Sequence, residues 1–251
     1  MKAFRVPPLL IGFGTVALAL GLVEIMLRLG LLNRFVVPFP SAVFGSFGRL
    51  FAEEELLARL LQTGAEALAA SILVAVFGIV IGVVLYRFRI LRLATEPWVA
   101  AVAAAPIVLA YPLFLVIFGR SAATIVAMGF AAGLAPVVLK TLEGLNGVRK
   151  SLIDVGRSYN LSQSQLFWKI LLPAAVPTIF VGVRLGLVFA LINLIGVEFL
   201  INFGGLGQLI NDLAERYDLP AMFATIVFVV LVSVVIFAAL ERMERWFRPA
   251  R

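Results

Sequence analysis

The sequence predicts an all-α integral membrane protein, six transmembrane helices with a cytoplasmic helical elbow between the fourth and fifth. Three observations predict it. The chain of 251 residues is 63% hydrophobic and only 14% charged, more apolar surface than a soluble domain of this size can hide. The apolar residues fall in runs of about 20, the helix length that crosses a hydrocarbon core of about 30 Å. One polar and basic stretch, Ser151 to Pro173, is set between two such runs.

The spans are read at about 8–31, 64–86, 96–118, 121–142, 174–200 and 220–241, within one membrane domain over residues 1–251. Backbone polar groups in lipid must be satisfied within their own segment, so these are helices. Lys2, Arg5 and the small residues around Ala17-Leu18-Ala19 imitate a signal peptide. The apolar run exceeds a signal core of about 7–15 residues, so it is expected to stay as the first span. Glu24 and Arg28, four apart, are expected to pair. In the segment 32–63, Ser41 is expected to cap a surface helix whose Val43, Phe44, Phe47, Leu50 and Phe51 lie at helical spacing. Glu66 opens the second span at the interface, and Gly78 and Gly82 form a GxxxG pattern that permits close helix contact. Residues 87–95 read as a short basic loop. Residues 119–121 read as a tight turn that makes the third and fourth spans an antiparallel pair. Pro106, Pro112 and Pro136 mark kinks in those spans.

The formal net charge of +7 follows the positive-inside pattern rather than a nucleic-acid footprint. With both termini in the cytoplasm, Lys2, Arg5, Arg87, Arg89, Arg92, Lys140, Arg149, Lys150, Arg157, Lys169, Arg242, Arg245, Arg248 and Arg251 lie inside. Arg34, Arg49, Arg59, Arg120 and Arg216 lie outside, with the acidic trio Glu53, Glu54 and Glu55. The chain contains no cysteine and no histidine. Disulfides, thiolate chemistry and His-ligated metal are therefore excluded, and no residue set does covalent chemistry. No catalytic site, no metal site and no cofactor bound by this chain are expected.

The stretch SLIDVGRSYNLSQSQLFWKILLP reads as two short helices about one bend. Ser151 with Asp154 is a helix-start pattern, and Ser162 with Gln165 is a capping box. Asn160 between them tolerates the left-handed backbone that ends one helix and turns. Leu166, Phe167, Ile170 and Leu171 give the second helix an apolar face, and Pro173, lacking a backbone donor, is expected to close it.

This elbow resembles the Glu-Ala-Ala loop of ABC-importer permeases. Aligned on Leu172-Pro173, it puts Asp154, Val155 and Gly156 on the Glu-Ala-Ala positions and Asn160 on the family's glycine, so the spacing is kept while each signature residue is changed. The flanks PAAVPTIFVGVRLGL and GVEFLINFGGLGQLI are similar to the nitrate/sulfonate/taurine branch of these permeases, and the similarity runs from about Pro38 to the C-terminus.

The resemblance implies a type I ABC-importer permease fold in a bacterial inner membrane. It implies a small anionic or zwitterionic solute delivered by an extracytoplasmic solute-binding protein. It also implies a second permease copy, identical or paralogous, and two cytoplasmic ATPase subunits that use ATP and Mg. Asp154, Val155, Gly156, Asn160, Leu161, Ser162, Gln165, Leu166, Phe167 and Pro173 would form the coupling elbow, with Leu161 and Leu166 to Ile170 as its apolar contact. The fifth helix would line the translocation path, with Arg184, Asn193 and Glu198 as candidates and Glu198 near the outer mouth. At 3.6 residues per turn, Arg184 and Glu198 share a face to within about 40°, and Asn193 is opposite Arg184. A helix-packing contact for Arg184 and an interfacial Glu198 stay open as the alternative. The glycine-rich Asn202 to Gly207 lacks the lysine and strand of a phosphate loop and reads as a tight turn. The short helix after it carries Asp212, Glu215 and Asp218 as exposed acids for binding-protein docking. The rival class is an ion-coupled secondary transporter, which would follow an ion gradient and ignore ATP. Buried acids are expected to be few, Glu24 and Glu198, which argues against it.

Overall fold

The computed structural model describes residues 8–247. Lys2, Arg5, Arg248 and Arg251, part of the charge asymmetry above, lie outside the described residues. Among the described residues the chain is helical, with no strand.

Helix α1 (Pro8–Arg28) ends where Gly30 takes a positive φ of 73°. It packs on α2 and leaves Leu10, Phe13 and Leu18 exposed. Two short helices follow, α2 (Pro40–Gly45) and α3 (Phe47–Ala52). Ser41 is not their cap. Pro40 occupies the first helical turn, where its missing N–H costs nothing, and the Ser41 N–H and hydroxyl both donate to Glu24. Glu24 also pairs with Arg28 at 2.8 Å. Nor does this segment lie free on a membrane surface. Val43 and Leu50 are buried against Leu56, Leu206, Leu209 and Leu213 from elsewhere in the chain.

Helix α4 (Leu56–Arg87) starts earlier than the apolar run suggests and spans 32 residues. Glu66 therefore stands in the first half of the helix rather than at its start, and it is buried. The basic loop expected at 87–95 shrinks to Phe88, because α5 (Arg89–Ala104) begins at once. Pro106 breaks the next span outright rather than kinking it. Ala105 before it is extended (φ −75°, ψ 140°), as the residue preceding a proline is driven to be. A short 3₁₀ turn, Ile107–Ala110, leads into α6 (Tyr111–Phe118), and the two halves meet at 92°. Gly119, at φ 67°, turns the chain into α7 (Ala122–Asn146).

Helices α4, α7 and α10 (Leu172–Ile201) form the core, and small residues set their spacing. A Cβ on Gly78 would stand 2.6 Å from Val137 Cβ, and one on Gly82 would stand 2.5 Å from Thr141 Cβ. The GxxxG pair thus brings α4 onto α7 at two positions one turn apart. On the other side of α7, Gly133 faces the backbone of Gly186, with 2.6 Å from a built Cβ to its carbonyl oxygen. Buried Ala70, Ile125, Met128, Leu194 and Val197 fill the interior beside these contacts.

The elbow comprises α8 (Lys150–Ser158) and α9 (Gln163–Leu166). Beyond α10 come α11 (Gly205–Glu215) and α12 (Leu219–Phe247). Among the described residues five helices are long and apolar enough to cross a membrane, or six if the bent pair α5–α6 counts as one span.

Candidate functional site

Two constructions stand at opposite ends of the α4–α7–α10 core. The first is the elbow. Helix α8 starts at Lys150, one residue before the expected start, so Ser151 falls inside the first turn and no side chain caps it. Its C-terminus is closed by a Schellman turn. The Asn160 N–H donates to the Arg157 carbonyl (2.9 Å), and the Leu161 N–H donates to the Gly156 carbonyl (3.1 Å). Asn160 is the residue that takes the left-handed backbone, at φ 50°. The capping box is formed as the spacing requires. Ser162 Oγ accepts from the Gln165 N–H at 3.3 Å, and Gln165 Oε1 accepts from the Ser162 N–H at 3.0 Å.

Gly156 is buried where α8 crosses the second arm. A Cβ there would come within 2.6 Å of the methyl ends of Leu166 and Ile170. Those methyl tips would have to move aside to admit a side chain. Leu171 is buried in the chain's own core beside Leu145 and Ala175, and Leu166 is buried against Gly156 of α8 rather than pointing outward. Trp168 of the second arm is left outside, as are Leu152, Val155 and Tyr159 of α8. Their spacing of three and four residues was the signal that could have found them. Asp154 makes a 3.8 Å ion pair with Arg157.

Pro173 does not close the second arm. The chain runs as one apolar helix from Gln163 to Ile201. Residues Phe167–Leu171 form a π turn, in which the Leu172 N–H reaches back five residues to the Phe167 carbonyl. Pro173, which has no N–H to donate, then sits in the first turn of α10.

The second construction is where α11 meets α4 and α10. Asn202, at φ 52°, ends α10, and its carbonyl accepts from Arg120. The first N–H groups of α11, which have no partner inside their helix, are satisfied by other elements. The Gly205 N–H donates to Gln62 Oε1 (3.1 Å), the Leu206 N–H to Thr63 Oγ1 (2.8 Å) and the Gly207 N–H to Glu198 Oε2 (2.8 Å). Thr63 Oγ1 donates in turn to Glu198 Oε1 at 2.8 Å, and Gln62 Nε2 donates to Glu66 at 3.3 Å. Glu198 is fully buried, with Glu66 as its neighbour. It faces α4 and α11 rather than an opening. A Cβ on Gly205 would strike its carboxylate, and one on Gly207 would come within 2.6 Å of its Cβ. The glycines of the 202–207 segment thus let backbone donors close on a carboxylate.

The acids expected to be free are mostly engaged. Asp212 pairs with Arg59 at 3.3 Å, and Asp218 pairs with Arg49 while accepting from the Ala221 N–H. Glu215 is exposed and accepts from Asn211 at 3.0 Å. Arg216 pairs with Glu54 at 2.8 Å, and the Glu54 carboxylate raises the Arg216 guanidinium further above its usual range. Arg184 lies 2.9 Å from Glu244 of α12, which is buried, and Asn193 donates to the Phe189 carbonyl of its own helix. Of the two acids expected to be buried, Glu198 is and Glu24 is only half-buried. Glu66 and Glu244 join Glu198 as buried acids, and Glu24 lies against Arg28 and Ser41. The structure does not bring Arg184, Asn193 and Glu198 to one surface.

A profile of the binding-protein-dependent transport system inner membrane component family matches residues 74–249. The chain belongs to this family. It is an ABC transporter permease. A riboflavin transport system permease of Chloroflexus aurantiacus is 30% identical over 84% of this permease and 81% of its own length. The taurine transport system permease of Escherichia coli is 23% identical, covering 95% of this permease and 89% of its own length. A Bacillus subtilis permease named for aliphatic sulfonates is 26% identical, with 91% and 83% covered. Among solved structures, the inward-facing MetNI methionine ABC transporter superposes with a TM-score of 0.67. It shares 21% identity and covers 77% of this permease and 96% of its own chain. An amino acid ABC transporter with histidines gives 0.63 at 15% identity, covering 80% and 95%. These two likenesses establish the fold.

Proposed function

We propose that this importer permease spans the membrane six times, with the bent α5–α6 pair as the third span and both termini in the cytoplasm of a bacterial cell. The elbow then faces the cytoplasm, where Arg87, Arg89, Arg92, Arg149 and Lys150 satisfy the positive-inside rule. Two ATPase subunits, which use ATP and Mg, engage the elbows of two permease copies. The observation that carries the reading is the exposed Leu152, Val155 and Tyr159 on α8. They form an apolar face on a helix closed at its C-terminus by Asn160 and held by the Ser162–Gln165 box. Asp154, Gly156, Leu161, Leu166, Phe167 and Pro173 shape and join the elbow rather than touch the ATPase. ATP-driven closure of the ATPases moves the elbows as rigid bodies, and the spans open alternately to either side.

The solute is a small anion or zwitterion delivered by a soluble binding protein, on the strength of the relatives named for taurine and sulfonates. A second reading, an uncharged heterocycle, is favoured by the riboflavin relative, which is 30% identical. Glu215, with the ion-paired Asp212 and Asp218 beside it, remains the acidic surface offered to the binding protein. Arg184 and Asn193 remain the path candidates on α10, and Glu198 acts by fixing α11.

The test is mild-detergent purification of the tagged chain with mass spectrometry of what accompanies it, followed by uptake in vesicles. The expected result is a stoichiometric ATPase and uptake that needs ATP. A chain that purifies alone and takes up solute along an ion gradient would make it a secondary transporter.

A further inference from the structure

A cavity of about 630 Å³ lies between the end of α4 and the elbow. Its composition is divided. Val83 and Phe167 line an apolar part, and Arg87, Arg157, Gln163 and Ser164 line a polar part. Arg87 is the last residue of the apolar helix α4, so the polar part stands where the hydrocarbon core ends and the headgroup layer begins. Arg157 has only the 3.8 Å pair with Asp154, which leaves its guanidinium free to donate to another acceptor. Arg87 has no acidic partner among the described residues. Two guanidinium groups with a hydroxyl and an amide suit a phosphate group. The adjoining apolar wall, continuous with a membrane helix, suits a hydrocarbon chain. A free phosphate would use only half of this lining.

We propose that this cavity binds the headgroup and upper acyl chain of an anionic phospholipid, wedged between α4 and the elbow. The lipid becomes part of the seat on which the elbow rests. The negative charge of the inner leaflet then contributes directly to elbow geometry. The proposal concerns binding by this chain alone and stands whatever solute the permease carries.

The test is a titration of the full-length chain, purified and stripped of lipid in detergent, with short-chain phosphatidylglycerol, phosphatidylcholine of equal chain length, and inorganic phosphate. Phosphatidylglycerol is expected to bind at least about ten-fold more tightly than either. The double variant R87Q/R157Q is expected to lose about thirty-fold of that affinity, at roughly one basic residue's contribution each. Ser164→Glu places a negative charge on the polar wall, and an acid in the first turn of a helix does not disturb folding. It should also abolish the preference. Equal binding of the two lipids, or full affinity in R87Q/R157Q, would overturn the proposal. Displacement of the lipid by inorganic phosphate at matched concentration would make the cavity a free-phosphate site and overturn it as well.

Discussion

The elbow and α11 are both short amphipathic helices at the ends of the same bundle, yet different forces hold them. The hydrogen bonds and the ion pair of the elbow are internal. Asn160 and Leu161 bond to Arg157 and Gly156, Ser162 bonds to Gln165, and Asp154 pairs with Arg157. The bonds of α11 reach outward to Gln62 and Thr63 on α4 and Glu198 on α10. Asp212 adds an ion pair to Arg59 of α4, and Arg216, just past α11, pairs with Glu54. Apolar contacts are less directional than buried hydrogen bonds, so they permit small rigid displacements. The elbow is a self-contained unit resting on apolar neighbours, and α11 is fastened into the core. A transporter needs one end that yields to its motor and one end that keeps its shape.

The comparison breaks most readily at Glu198. Glu198→Ala strips the Gly207 N–H and the Thr63 hydroxyl of a buried acceptor, at a cost of about 3 kcal/mol. It should lower the thermal midpoint of the detergent-purified chain by several degrees and alter uptake, while co-purification of the ATPase survives. Glu198→Gln, which keeps an acceptor, should cost less. An unshifted midpoint for the alanine variant would mean that α11 is not fastened this way. Next comes Asn160, whose φ of 50° a proline cannot adopt. Asn160→Pro should reduce uptake to background with a normal amount of chain in the membrane, at a local cost of about 2 kcal/mol. Asn160→Gly should transport normally, and a transport-competent proline variant would remove the elbow from coupling. Ser162→Ala deletes one half of the capping box, about 1 kcal/mol. Amide exchange should quicken over residues 162–166 and stay unchanged in α11. Smallest is Asp212→Asn, which loses one partly exposed ion pair, about 0.5 kcal/mol. Its effect on the midpoint should fade as salt is raised.

Local chemistry was legible and long-range pairing was not. The Ser162–Gln165 box, the left-handed Asn160 and the Gly78–Gly82 contact each follow from residues within a turn or two of one another. The roles of Asp212 and Asp218 depend on arginines far away in the chain, and a list of acids cannot reveal those partners. The resemblance placed Glu198 near the outer mouth, and position along a helix does not reveal that its carboxylate turns to Thr63 and Gly207. The polar face of α4, with Gln62, Thr63 and Glu66 crowded in its first half, was the clue that an internal partner existed. Pro173 misled for a related reason. A proline stops an α-helix only if the preceding turn keeps its ordinary pitch, and the π turn does not. Leu166 was read as an outward contact because helical spacing reveals that a face is apolar, not which apolar face the core claims.

The π turn at Phe167–Leu171 has a consequence for the whole rod from Gln163 to Ile201, which is about 58 Å long at 1.5 Å per residue. A wide turn holds one residue more than an α turn, and each residue advances the azimuth by about 100°. The bearing of the elbow relative to α11 is therefore counted in residues, like the timing of two cams on one shaft. Removing a single residue from that turn would leave both ends intact but set them about 100° out of phase.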